Sequence, residues 1–144
     1  MVLELVQRLK MVELFWLGAV LRAEKFYQPN TIYSMNTLET LKSSRDFQKA
    51  KGGLFFRSKS FLLQAFKDET INKIRVGYTV SKQNGNAVVR NKIKRRLRVI
   101  AKDIIGKYGT KKWNYVIIGK KNSLIEDFKN LEMEMSKAIK KIHN

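Results

Sequence analysis

The chain has 144 residues, 44% of them apolar, which suits one domain with one core and argues against global disorder. Thirty Lys and Arg stand against 12 Asp and Glu, a net charge of +18. So large an excess points to a polyanionic partner, because each neutralised phosphate releases condensed counterions. There is no Cys, and the only His is His143. Disulfides, thiolate metal sites, a His-centred triad and a multi-His metal site are thereby excluded. His143, one residue from the end, is expected in a solvent-exposed tail.

Residues 1–34 differ from the rest: they carry four basic and three acidic residues, so +17 of the charge falls on the remaining 110. An apolar stretch, Leu14 to Leu21, lies within a helix-like pattern of Val2, Val6, Leu9, Val12 and Trp16. Eight apolar residues are too few to span a bilayer, which takes roughly 20, and no clear secretory signal is present. Three readings stand: an appended amphipathic helix, an interfacial membrane helix, or sequence upstream of a true start at Met35. The last is favoured, because a complete domain pattern follows Met35, after a break at Pro29 and Asn30. The division expected is therefore 1–34, an extension, and 35–144, the domain.

From Leu38 onward, Ser43 or Ser44 caps a short helix through Lys49, with Asp46 near its positive dipole end and Gly52-Gly53 closing it. Leu54–Arg57 and Ser60–Lys67 read as two strands or one bent strand. Asp68 to Asn72 is a polar turn into a strand at Lys73–Val80, and the spacing predicts an antiparallel hairpin of Ser60–Lys67 with Lys73–Val80. Asn84-Gly85-Asn86 is a turn into a long helix, about Ala87 to Lys107. Trp113–Gly119 is a short apolar strand. A last amphipathic helix runs from Leu124 to about Ile142, with Leu124, Phe128, Leu131, Met135, Ala138 and Ile142 on one face. The order helix, strands, helix, strand, helix predicts a single-domain α+β fold, helices against a sheet in an α/β sandwich.

The long helix carries the functional signal. Val89, Ile93, Leu97, Ile100 and Ile104 make one apolar stripe. Residues 86–102 contain seven basic side chains (Arg90, Lys92, Lys94, Arg95, Arg96, Arg98 and Lys102) and no acidic one. A solvated helix face ordinarily intersperses Glu, which pairs with Lys one turn away. Here the cations repel one another, a cost tolerable when a polyanion occupies the face. Asn84, Gly85 and Asn86 permit a tight turn, and amides at the new helix N-terminus suit a phosphate. No Gly-Lys-Ser/Thr follows, so this is not a nucleotide-binding P-loop.

The run from Arg75-Val-Gly-Tyr-Thr-Val-Ser-Lys82 through Gly85-Asn-Ala-Val-Val-Arg-Asn-Lys-Ile-Lys-Arg-Arg-Leu-Arg98 resembles the signature of the bacterial ribonuclease P protein family. Lys42–Lys49 resembles that family's first helix and Trp113–Gly119 its last strand. The resemblance implies a protein subunit of an endoribonuclease whose catalytic centre lies in its RNA partner, with no catalytic residue in the protein. It implies a small mixed sheet with a left-handed crossover. It implies two partners, the catalytic RNA and precursor tRNA, from which the 5′ leader is removed to give the mature 5′ end. Magnesium is implied as cofactor, held mainly by the RNA.

The family's Arg-Asn-Arg motif falls on Arg90, Asn91 and Lys92, where Lys keeps the charge and loses the bidentate geometry. The RNA-binding set implied is Lys82, Asn86, Arg90, Asn91, Lys92, Lys94, Arg95, Arg96 and Arg98. The leader groove is implied between the first helix and the sheet. Strand alternation puts Ser60, Leu62, Gln64 and Phe66 on one face and Phe61, Leu63 and Ala65 on the other. The groove set is Phe47, Lys51, Lys59, Leu62, Gln64 and Phe66. Gln64 and Lys51 stand where some members have aromatics, so charge and hydrogen bonding are expected to do more here. Phe47 reads equally as a core side chain, and Phe61 as a buried one.

A cytoplasmic, monomeric protein in a 1:1 ribonucleoprotein is expected, with no membrane partner. Three rivals are kept. A ribosomal-type RNA-binding module shares the charge and fold class. A helix–turn–helix DNA reader needs a preceding helix where a strand is read. A membrane-surface protein would use residues 1–28 as its interfacial helix.

Overall fold

The computed structural model describes residues 37–144; the expected extension, 1–34, lies outside them. The elements are β1 (Leu38–Thr40), α1 (Ser44–Lys51), β2 (Leu54–Arg57), β3 (Phe61–Lys67), β4 (Ile74–Val80), α2 (Ala87–Tyr108), β5 (Trp113–Gly119) and α3 (Phe128–His143). Short 3₁₀ turns at Lys82–Asn84 and Lys121–Leu124 precede α2 and α3. The fold is α+β, three helices on a five-stranded mixed sheet of order β1-β4-β5-β3-β2.

That order corrects the expected hairpin. β3 and β4 are not paired: β5 lies between them, antiparallel to β3 and parallel to β4. The physical reason is burial on both faces. Tyr115 and Ile117 point into one core and Val116 into the other, so β5 is the strand that gains most from the central position. The turn after β3 instead caps the end of β5: the Asp68 amide donates to the Lys112 carbonyl at 2.7 Å and the Lys112 amide to the Lys73 carbonyl at 3.2 Å. The true hairpin is β2 with β3, which pairs Phe55 with Gln64 and Arg57 with Leu62.

β1, a three-residue strand parallel to β4, was not anticipated. It shows no usable alternation, and its place is set by Leu38 packing on the main core and by Glu39, which bridges Lys73 (2.5 Å) and Arg75 (3.5 Å). Hydrogen bonding from Lys73, with the charges of Lys73 and Arg75, holds the Glu39 carboxyl below its usual range.

The main core lies between the sheet and α2 plus α3. Phe61, Leu63 and Ala65 of β3 meet Ile93, Leu97, Ile100 and Ile105 of α2 and Leu131, Met135, Ala138 and Ile139 of α3. Each such Leu, Ile or Phe contributes roughly 1.5–3 kcal/mol by leaving water. The opposite sheet face carries a smaller cluster under α1: Leu41, Ala50 and Val116 with Phe47, Phe66 and Ile118. Gly77 makes this approach possible, since a Cβ there would lie 2.7 Å from the Phe47 ring.

Two further expectations are corrected at the C-terminal end. Leu124 belongs to the 3₁₀ turn and α3 starts only at Phe128, after the extended Asp127, so Phe128 is partly exposed. His143 is not a solvated tail residue. Its Nε2 lies 2.6 Å from the buried Tyr115 hydroxyl, and its ring stands edge-on to Trp113 at 4.8 Å. The Tyr115 oxygen also accepts from the Thr110 amide at 3.2 Å. Burial pushes the Tyr115 hydroxyl up to about 12 and holds the His143 pKa below its usual value. The arrangement that satisfies both groups has the hydroxyl donating to a neutral imidazole.

Candidate nucleic-acid interface

The sheet face on which the groove is expected follows from strand register. Two rows of side chains cross the face beneath α1: Gly77, Val116, Gln64, Phe55, and then Thr79, Ile118, Leu62, Arg57. α1 lays Phe47 over Gly77 and Ala50 against the smaller cluster. Leu62, Gln64 and Phe66 are half-exposed on this face, and Phe61 is fully buried on the other. Ser60 is buried and lines nothing. Phe47 is half-buried, a wall as well as a packing residue. Lys51, at the end of α1, and Lys59, in the β2–β3 turn, are exposed.

Phe55, Arg57, Thr79 and Ile118 join this face without having been anticipated. Phe55 is 64% exposed, an aromatic ring on the edge strand β2. Only the β2–β3 register tells which face it occupies.

The basic helix lies on the other side of the sheet. Asn91, Lys92, Arg95 and Arg98 are exposed, Lys94 and Arg90 half-exposed, and Lys82 exposed in the preceding turn. The Arg98 guanidinium lies 5.4 Å from the centre of the Tyr78 ring. Burial pushes the Tyr78 hydroxyl up to about 12, so the ring meets that cation uncharged. Two members of the expected set are engaged elsewhere. The Asn86 side chain accepts from the Val89 amide at 3.0 Å, capping α2. Arg96 donates to the Leu124 carbonyl at 2.6 Å and to the Glu126 carbonyl, and its guanidinium lies 4.6 Å above the Phe128 ring.

Groove and helix meet at one end of the sheet. β4 ends at Val80 and β5 at Gly119, β3 begins at Phe61 and β2 ends at Arg57, all on the same rim. There Asn84 joins the two loops: it accepts from the Lys121 amide at 3.0 Å and its amide reaches the Ser81 hydroxyl at 3.0 Å. Lys120 Nζ donates to the Ser58 carbonyl at 2.5 Å. Gly85 makes the turn into α2 with φ of 132°, a conformation that disfavours any side chain.

Among the described residues no three His, Asp or Glu side chains come together. No described helix is long and apolar enough to cross a membrane.

Uncompensated cations on one helix of a three-helix, five-stranded α+β fold describe a basic protein whose surface suits a polyanion such as nucleic acid. Residues 35–143 match the family model described as ribonuclease P, and the chain belongs to that family. It is a protein subunit of ribonuclease P, an endoribonuclease of tRNA processing. The ribonuclease P protein component of Ruegeria pomeroyi is 34% identical over 116 residues, 78% of this chain and 93% of the relative. That of Listeria monocytogenes is 33% identical over 101 residues, covering 69% and 84%. The RNase P protein of Thermotoga maritima superposes with a TM-score of 0.62 at 28% identity, covering 74% of this chain and 99% of that one. The Staphylococcus aureus protein does so at 0.60 and 28%, covering 73% and 97%.

Proposed function

We propose that α2 binds the ribonuclease P RNA through Arg90, Asn91, Lys92, Lys94, Arg95 and Arg98, with Lys82 at its approach, and that the groove holds the single-stranded 5′ leader of precursor tRNA. The observation that supports this reading is the shared rim: β2 ends at Arg57 and β3 begins at Phe61 on the end of the sheet that also carries the loops around Lys82 and Lys121. Phe55 offers a ring for an unpaired base, Gln64 a hydrogen-bonding edge, and Lys51 and Lys59 charges for the backbone. Asn86 and Arg96 act in this reading by holding α2. The protein supplies position and charge. Hydrolysis of the phosphodiester, with its magnesium, belongs to the RNA.

The resemblance carries three further parts of the proposal: a left-handed β4–α2–β5 connection, one protein per RNA, and action in the cytoplasm on residues 35–144 alone. The test is cleavage of precursor tRNA by a bacterial ribonuclease P RNA at low magnesium, with and without residues 35–144. Strong stimulation with cleavage at the mature 5′ end is expected. A folded protein that binds RNA without stimulating cleavage overturns the reading in favour of a general RNA-binding module.

A further inference from the structure

Arg96 differs from its neighbours in what its guanidinium does. Two nitrogens donate to two carbonyls of one turn, Leu124 at 2.6 Å and Glu126, and the guanidinium carbon lies 4.6 Å from the centre of the Phe128 ring at the start of α3. Its Nε is shielded from solvent. Arg95 and Arg98, on either side in sequence, are exposed. The turn that Arg96 holds is itself anchored at its other end: the Ser123 hydroxyl donates to the Ser60 carbonyl at 2.5 Å and the Ser123 amide to the Lys120 carbonyl at 3.0 Å. That connection leads to the rim where Lys121 meets Asn84.

From this geometry we infer that Arg96 is a positioning residue: it clamps the basic helix to the 121–128 turn and so sets the angle at which Arg95, Lys92 and Arg98 face RNA, without touching RNA itself. The inference rests on the RNA-binding role of α2 proposed above. A forked cation is required, because two carbonyls are met by two separate nitrogens while the guanidinium carbon sits over a ring. A lysine ammonium carries the same charge but cannot do all three.

That difference makes the test charge-neutral. Arg96→Lys and Lys137→Arg are compared with the wild type for thermal midpoint and for affinity to ribonuclease P RNA, the latter at a temperature where all are folded. Arg96→Lys is expected to lower the midpoint and to weaken the folded protein's affinity about tenfold, the scale of one charge-assisted hydrogen bond. Lys137→Arg, an exchange of one cation for another at an exposed position of α3 outside the proposed RNA-binding set, is expected to stay within about twofold. Phe128→Leu, which removes the ring and leaves every charge, is expected to shift both quantities in the same direction by less, and it decides the matter if Arg96→Lys does not fold. Unchanged midpoint and affinity in Arg96→Lys would mean an ordinary phosphate contact and would overturn the clamp. A lower midpoint with unchanged folded affinity would reduce Arg96 to a stabilising residue and overturn its positioning role. A folded wild type with no affinity for ribonuclease P RNA would instead bring down the RNA-binding reading of α2, and this inference with it.

Discussion

Phe55 and Gly85 show how much can rest on one position. A lone exposed apolar side chain is ordinary; Phe55 matters because its register partner is Gln64, in the row that ends over Gly77. Phe55→Ala is expected to weaken binding of precursor tRNA by the holoenzyme by roughly 1–3 kcal/mol, the worth of one base–aromatic stack. Affinity for mature tRNA, which has no leader, is expected to hold; equal losses on both would remove Phe55 from the groove. At Gly85 the backbone rather than the side chain decides. A Cβ there would lie 2.9 Å from Val89 Cγ1, in a conformation that L residues avoid. Gly85→Ala is expected to cost on the order of 1–3 kcal/mol of stability, read by denaturant unfolding. Gly85 was readable from its Asn-Gly-Asn context; Phe55 was not, because a four-residue strand has two faces and nothing local says which is inside.

Elements repeat this division. α2 was readable nearly to the residue, because five apolar positions at helical spacing follow directly on the Asn84-Gly85-Asn86 turn. Within it, charge alone could not separate Arg96 from Arg95, since the carbonyls that hold Arg96 lie 28 and 30 residues further along the chain. α3 begins later than the helical period suggests, because Leu124 and Phe128 fit that period, and His143, expected in a tail, lies in its last turn. That turn is held by His143 on Tyr115 and Trp113. The folded pKa of His143 is lowered, so the unfolded chain binds the proton more readily. The stability it contributes is therefore complete above the unfolded value of about 6.5 and is lost as pH falls below it. Glu39, Asp68 and Glu69, whose pKa values are lowered from 4.5, 3.8 and 4.5, act in a more acid range. The thermal midpoint is expected to fall between about pH 6.5 and pH 5, and His143→Gln to flatten that slope; a parallel curve in the variant would exclude the contact as its source.

At the scale of the molecule, fold class and partner class were readable and strand order was not. Composition and one uncompensated helix were sufficient to point to a polyanion, whereas the order β1-β4-β5-β3-β2 depends on which strand gains most from burial on both faces. The whole-molecule charge has a measurable signature. Each phosphate-contacting cation removed is expected to lower the slope of log affinity against log salt by about 0.7–0.9. Arg95→Ala and Arg98→Ala are expected to do so in binding ribonuclease P RNA, and Lys137→Ala, on α3, to leave the slope unchanged. An unaltered slope in all three would place the RNA on another surface.

The central position of β5 also bears on how the protein is made. β3 and β4 are complete by Val80 yet have no direct partnership, since the strand that joins them runs from Trp113 to Gly119. A chain leaving the ribosome therefore carries the β2–β3 hairpin on one side and the β1–β4 pair on the other, two halves of a sheet with no middle. Closure over so long a separation is entropically costly until its contacts form. The two halves can therefore join only once β5 has been made, and the cationic helix is synthesised before the strand that completes the sheet it packs on.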